Sequence, residues 1–207
     1  MLPINIFDLR EEKILSLIFC FIIIAASVVL DQVSKLLVVN FLDREESFEL
    51  IPGIFQFTYV ENDGAAFGSF DESRWVFMIA STVLIVGLLV YLWKFRPESK
   101  LACISMSMII GGGIGNMIDR VRLGFVIDFI DFCAFPDIWM WVFNIADSFV
   151  CVGCGLMFLW CIVSLVQEYK AEKQKKLQAE TAADAEENAE ENAEENAEEN
   201  AEENTEE

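Results

Sequence analysis

The sequence has 207 residues, of which 55% are hydrophobic, and yet its formal net charge is −20. Most of this charge is C-terminal, since residues 184–207 hold 13 acidic side chains and no basic one. The first 183 residues carry a net charge of only −7. Their apolar runs are long enough to span a bilayer, which excludes an ordinary soluble domain. The absence of histidine excludes Ser-His-Asp and Cys-His catalysis and HExxH zinc sites.

Four apolar stretches can each form a transmembrane helix of about 20 residues. In chain order they are Ile14–Leu30, Trp75–Trp93, Leu101–Ile118 and Ile138–Val166. The first follows Arg10 and Lys13 as a signal peptide would, but its apolar core is long and lacks a clean small-x-small cleavage site. We expect this stretch to be retained. The predicted fold is therefore an all-α polytopic membrane protein with four transmembrane helices.

The region between the first two stretches, about residues 41–70, has a different pattern. From Phe48 to Asn62, aromatic and β-branched residues partly alternate with polar ones around the turn residues Pro52 and Gly53. This pattern is typical of short strands. Because several of its apolar side chains have no place in a spanning helix, we expect a small sheet that rests on the membrane surface.

The distribution of lysine and arginine predicts the orientation. Nine basic residues lie at the N-terminus, in the second connection and after the fourth stretch, whereas five lie on the opposite side. The positive-inside rule therefore places both termini in the cytoplasm and the strand region outside. The expected organisation is a cytoplasmic N-terminus (1–13), a membrane domain (14–166) and a cytoplasmic tail (167–207).

The end of the tail repeats Ala-Glu-Glu-Asn from about Ala185 to Asn204. A helix would bring glutamates four positions apart onto one face, where like charges repel. Nothing apolar beyond alanine is available for burial. The segment is therefore expected to be disordered, solvated and without a catalytic role.

Candidate functional residues are the few polar side chains that border or enter the apolar stretches, because ionisable groups at membrane depth are costly. They comprise three pairs that each share a helix face, Asp31/Lys35, Asn116/Arg120 and Asn144/Asp147, together with Asp128 between the last two stretches. The topology places them at one depth, near the outer membrane face. Two close carboxylates there can share a proton and activate water for peptide hydrolysis. Spacing alone also allows an ion path or a buried packing network.

Five segments, taken together, resemble the lipoprotein signal peptidase family, the bacterial type II signal peptidases. They are Asp31-Gln-Val-Ser-Lys35, Asn62-Asp-Gly-Ala-Ala-Phe-Gly68, Gly112-Gly-Ile-Gly-Asn116-Met-Ile-Asp119-Arg120, Gly124-Phe-Val-Ile-Asp128-Phe129 and Phe143-Asn144-Ile-Ala-Asp147-Ser148. All five occur in the family's order, over roughly residues 14–166, and the acidic tail lies outside the pattern. One such segment would be a weak signal, whereas five in order on four spans are specific.

The resemblance implies an aspartic endopeptidase of the bacterial inner membrane that cleaves prolipoproteins just before a cysteine carrying diacylglycerol. The family's catalytic pair maps onto Asp128 and Asp147, near the extracytoplasmic face and beneath a small extracytoplasmic β-cradle. The residues implied to bind substrate or support the site are Asp31, Lys35, Asn62, Gly64, Asn116, Arg120 and Asn144. The implied partners are diacylglyceryl-modified prolipoproteins and membrane lipids, with no metal, cofactor or nucleic acid.

Some individual roles stay open. Arg120 either neutralises carboxylate charge or binds a substrate carbonyl, or it forms an ion pair with Asp31 or Asp119. Lys35 is expected to pair with Asp31 rather than to act as a base. Asn62, close to Gly64, suits a turn whose side chain reaches the site, or a plain turn.

Two other classes of function compete with the peptidase. A small transporter or channel lined by Asp31, Arg120 and Asp147 predicts polar residues at several depths. A noncatalytic scaffold whose tail recruits a cytosolic partner predicts that the aspartates are dispensable.

Overall fold

The structure, a computed structural model, describes residues 6–64, 73–95, 97, 99–135 and 139–203. In these residues it has four helices, α1 (Ile6–Phe41), α2 (Ser73–Phe95), α3 (Lys100–Arg122) and α4 (Ile145–Glu203). It also has four strands, β1 (Phe48–Ile51), β2 (Phe55–Asn62), β3 (Val126–Phe132) and β4 (Val142–Phe143).

Each of the four helices contains a segment long and apolar enough to cross a membrane. Within the described residues these segments are Ile14–Phe41, Met78–Phe95, Lys100–Arg122 and Ile145–Ala179. The predicted fold class, a polytopic helical membrane protein with a small additional sheet, is therefore confirmed.

The third helix is the most buried of the first three. In the most apolar stretch of α3, 61% of the residues are buried, compared with 22% in that of α1 and 11% in that of α2. Glycines allow this packing: a Cβ on Gly112 would lie 2.3 Å from the carbonyl oxygen of Ala146, and one on Gly115 would lie 2.5 Å from a carboxylate oxygen of Asp31. Because the glycines have no side chain, α1 and the start of α4 can approach the α3 backbone closely.

Two helix boundaries differ from the prediction in ways that affect the site. Helix α1 continues past Leu30 to Phe41, so Asp31 lies inside a helix rather than at its end. Its charge is tolerated there because Lys35, one turn later, pairs with it at 3.0 Å. Helix α4 begins at Ile145, after β4, and not at Ile138, which lies outside the described residues.

The strands form one antiparallel sheet in the order β1-β2-β3-β4. The β1–β2 hairpin, which turns at Gly53 with φ 69°, falls within the predicted strand region 41–70. Strands β3 and β4 come from the connection between α3 and α4, which the sequence did not assign to the sheet. The β2–β3 pairing sets Asn62 opposite Val126 and Val60 opposite Asp128, so the sheet brings Asn62 close to Asp128.

The chain divides into two compact units, Met1–Trp160 and Cys161–Glu207. The second unit is helical as far as Glu203, where the sequence predicted a disordered repeat. Alanine and glutamate are both strong helix formers, which accounts for this difference. The prediction of disorder rests instead on repulsion between like charges along the repeat.

Candidate active site

Asp128 lies in the middle of the buried part of β3 and is 1% exposed. Its carboxylate accepts two amide hydrogen bonds, at 2.8 Å from Asn62 Nδ2 and at 2.6 Å from Asn144 Nδ2. The two amides come from β2 and from the start of α4. Asp128 therefore joins the sheet to the helical part of the protein.

The turn after β2 orients Asn62. The side-chain oxygen of Asn62 accepts a hydrogen bond of 2.9 Å from the backbone N–H of Gly64, which adopts φ 90°. Only glycine takes that backbone conformation without steric cost. Because the oxygen is occupied by the turn, the Asn62 amide nitrogen is left to face Asp128. The predicted turn and the reach of its side chain are both present, whereas residues 65–68 of the same motif lie outside the described residues.

Asn144 and Asp147 cap the start of α4 reciprocally. Asn144 Oδ1 accepts a hydrogen bond of 2.9 Å from the backbone N–H of Asp147, and Asp147 Oδ2 accepts one of 3.2 Å from the backbone N–H of Asn144. This is the geometry of a capping box. The sequence placed Asn144 inside a helix, and that placement is wrong: Asn144 precedes the helix, and the cap fixes the Asp147 side chain.

Asn116, from the buried face of α3, links the two aspartates to a buried ion pair. Its Nδ2 donates to Asp147 Oδ1 at 2.7 Å, and its Oδ1 accepts from Asn144 Nδ2 at 3.0 Å. The same Oδ1 accepts from Lys35 Nζ at 3.0 Å. Lys35 pairs with Asp31, as predicted, and Asp31 also accepts the backbone N–H of Ala146 at 2.9 Å.

Arg120 is half-buried, and the charges of Asp147 and Asp128 act on it electrostatically. The alternative ion pair with Asp31 or Asp119 is absent among the described residues, because Lys35 pairs with both of those carboxylates. Arg120 thus supplies a positive charge near Asp128 and Asp147. It is not paired with Asp31 or Asp119.

Sequence reasoning missed two members of this network, Gln32 and Asp119. Gln32 Nε2 donates to Asp119 Oδ1 at 2.9 Å and lies 3.2 Å from Asp31 Oδ2. Asp119 also pairs with Lys35 at 2.8 Å. A signal was available for Asp119, because it lies three residues after Asn116 and so on the same face of α3.

All nine predicted site residues lie in, or directly beside, one network of hydrogen bonds and charges. The hypothesis of a catalytic site predicts that these residues lie together, whereas the hypothesis of a transport path predicts polar residues at several depths. Asp128 and Asp147 are both hydrogen-bonded to Asn144, so the two carboxylates are held by a single residue. Such a pair can share a proton and carry out general acid and base steps.

The pKa of Asp128 is raised to about 6, chiefly by burial and also by the nearby charge of Asp147. The hydrogen bonds from Asn62 and Asn144 act in the opposite direction, because they stabilise the ionised form. Asp128 is therefore the kind of carboxyl group that can hold a proton near neutral pH.

This pKa predicts a pH-dependent change in stability on replacing Asp128. A carboxyl whose pKa is higher in the folded state contributes stability at low pH that is lost as the pH rises through about 6. The free energy of unfolding of Asp128→Asn, relative to the unsubstituted protein, should therefore increase by about 2 kcal/mol between about pH 4 and pH 7.5. Thermal unfolding in detergent at the two pH values measures this. A difference that stays constant with pH would contradict the raised pKa.

The fold and the site together define a multi-pass membrane protein with a carboxylate pair, of which Asp128 is buried and Asp147 half-buried. The family described as signal peptidase (SPase) II matches residues 23–163. The chain belongs to this family.

Relatives described as lipoprotein signal peptidase are similar over most of their length. That of Caldanaerobacter subterraneus subsp. tengcongensis is 47% identical over 136 residues, covering 66% of this chain and 90% of the relative. That of Clostridioides difficile is 44% identical over 150 residues, covering 72% and 97%. That of Halothermothrix orenii is 41% identical over 140 residues, covering 68% and 92%.

A solved bacterial membrane enzyme, determined by the in meso method at 2.3 Å resolution, has a similar structure. The TM-score is 0.64 at 30% sequence identity, and the match covers 71% of this chain and 89% of the other. Family and fold together make the chain a multi-pass bacterial membrane protein and a peptidase of the kind that removes signal peptides from lipoproteins.

Proposed function

We propose that this protein is an aspartic endopeptidase that cleaves diacylglyceryl-modified prolipoproteins just before the lipidated cysteine, with Asp128 and Asp147 as the catalytic pair. The observation that carries the proposal is the position of Asn144, whose amide Nδ2 binds Asp128 at 2.6 Å while its backbone N–H binds Asp147 at 3.2 Å. One residue thus fixes both carboxylates, as a pair that acts as a unit requires.

The pair would hold one proton in the resting enzyme. The ionised carboxylate takes a proton from water, whose oxygen attacks the scissile carbonyl carbon, while the protonated carboxyl donates to the carbonyl oxygen. The tetrahedral intermediate then collapses: the amine nitrogen receives the proton taken from water, the C–N bond breaks, and the other carboxyl recovers its proton. Neither histidine, metal nor a covalent intermediate is needed.

The surrounding polar residues would keep the pair oriented and bind the substrate. Asn62 and Asn116 each donate an amide hydrogen bond to one carboxylate, at 2.8 and 2.7 Å. Arg120 would stabilise the charge that develops on the substrate carbonyl oxygen, because it lies near the catalytic pair. It is not paired with Asp31 or Asp119, since both of those carboxylates pair with Lys35. Gly64 would support Asn62 through its turn.

The proposed orientation places both termini in the cytoplasm and the site near the extracytoplasmic face. Asp147 lies in the first turn of α4, and Asn116 lies in the last two turns of α3, so both flank the same end of the helices. The acyl chains of a lipidated cysteine would hold the scissile bond at that interface. The sheet would cover the site from outside the membrane.

Cleavage of a defined substrate by the full chain tests this proposal. In proteoliposomes, a diacylglyceryl-modified prolipoprotein should yield a product whose first residue is the lipidated cysteine, as determined by mass spectrometry. The same prolipoprotein without the lipid is the matched control and should remain uncut under identical conditions. Equal cleavage of both forms, or a cut at another bond, would overturn the assigned specificity.

A further inference from the structure

We infer that Asp119 is a positioning residue, which holds both members of the proposed catalytic pair in place without contacting the substrate. The inference rests on the proposed function, since it concerns the same two aspartates. Asp119 lies near the end of α3 and is only 3% exposed. Both of its carboxylate oxygens are occupied by partners from other elements.

The contact of Asp119 with β3 bears directly on Asp128. Asp119 Oδ2 accepts a hydrogen bond of 3.3 Å from the backbone N–H of Ile127, the residue that immediately precedes Asp128. Strand β4 pairs with β3 only at Ile130 and Asp131, so it does not reach Ile127. At this buried position, where Ile127 pairs with β2 alone, Asp119 therefore supplies an acceptor that β4 does not provide. It ties the backbone next to Asp128 to α3.

The contact of Asp119 with Lys35 bears on Asp147. Asp119 Oδ2 holds Lys35 Nζ at 2.8 Å, and Lys35 Nζ donates to Asn116 Oδ1 at 3.0 Å. An ammonium group has only donors, so Asn116 must present its oxygen to Lys35. Its Nδ2 is then directed to Asp147 Oδ1, at 2.7 Å. Lys35, held by Asp119, thereby selects the orientation of the amide that binds Asp147.

A second carboxylate makes this role separable from folding. Asp31 also pairs with Lys35, at 3.0 Å, so the buried ammonium keeps one charged partner when the charge of Asp119 is removed. Gln32 Nε2, which donates to Asp119 Oδ1 at 2.9 Å, connects Asp119 to α1 independently of the ion pair. Neutralising Asp119 should thus loosen the placement of the pair more than it destabilises the protein.

The test is Asp119→Asn in the full-length protein, assayed with the diacylglyceryl-modified prolipoprotein. We expect kcat to fall about 10- to 100-fold, because small displacements of catalytic groups are costly, while KM changes by no more than about twofold. Asp131→Asn is the matched control: Asp131 lies on β3, and its carboxylate accepts from Gln56 and Thr58 at 2.7 and 3.0 Å, outside the network. Its kcat should stay within about twofold of the parent.

A kcat of Asp119→Asn within about twofold of the parent, or a rise in KM that accounts for the whole loss, would overturn the inference. If the variant is not recovered as monodisperse protein, Gln32→Leu decides instead, with a lowered kcat at unchanged KM expected and an unchanged kcat overturning the inference. Asp128→Asn, assayed in parallel, separates this outcome from failure of the proposed function. Full activity of Asp128→Asn refutes the catalytic pair itself, whatever Asp119→Asn does.

Discussion

Asp128→Asn and Asp147→Asn are each expected to lower kcat for the lipidated prolipoprotein by about 10³-fold or more. Asparagine keeps the size of aspartate but cannot take up or release a proton in the reaction. The remaining carboxyl cannot act as base toward water and as acid toward the carbonyl in the same step. The rate of appearance of the mature lipoprotein, with purified variants in proteoliposomes, measures the loss.

The double variant provides an internal check on this prediction. Because the two aspartates act as a unit, Asp128→Asn combined with Asp147→Asn should be about as slow as either single variant. Asp131→Asn, the same chemical change three residues along β3, should leave the rate nearly unchanged. A single variant of the pair that processes at the parent rate would refute the assignment of that aspartate.

Among the substitutions proposed for this protein, Lys35→Met is expected to lower the free energy of unfolding most, by about 3–5 kcal/mol. Lys35 is 2% exposed, and its ammonium group lies 3.0 Å from Asp31 and 2.8 Å from Asp119. Methionine fills a similar volume but leaves two buried carboxylates close together without a compensating charge. Removing one partner of a buried ion pair is costly for this reason, even where the intact pair contributes little. The midpoint of thermal unfolding in detergent measures the effect.

Lys176→Met is the matched control for this substitution. Lys176 pairs with Glu172 at 2.9 Å with the same four-residue spacing, but the two side chains are 72% and 64% exposed. Solvent already screens such a pair, so its loss should cost about 0–1 kcal/mol. Equal losses for Lys35→Met and Lys176→Met would show that burial of the network does not matter.

The spanning helices could be predicted from the sequence because each corresponds to a continuous run of apolar residues. The helix ends could not. Apolar residues lie on both sides of Asn144, and nothing in the run itself distinguishes a capping asparagine from one inside the helix. Asp31 directly follows the apolar run Ile14–Leu30, and a charged residue in that position predicts a helix boundary. Helix α1 nevertheless continues to Phe41, although the pairing of Asp31 with Lys35 on one helix face is predicted correctly.

The members of the site could be predicted better than their connections. The motif residues were recognised, including Asn62, whose side chain does reach Asp128. The role of Asp119 is harder to predict, because its partner Lys35 is 84 residues away in the chain. Likewise, the segment around Asp128 was not assigned to a strand, since its pairing with β2 depends on residues more than 60 positions earlier.

The distribution of the buried charges has a consequence for how the protein is made. Asp31 and Lys35 lie on one helix and pair at 3.0 Å, so α1 can be inserted by the translocation machinery with its opposite charges already adjacent. Asp119 and Asp147, by contrast, each depend for a side-chain partner on another helix, Asp119 on Lys35 of α1 and Asp147 on Asn116 of α3. We therefore expect the α1 ion pair to form before the rest of the network is complete. A chain that stops before α4 would keep the pair of Asp31 with Lys35, whereas its Asp31 carboxylate would lack the Ala146 N–H.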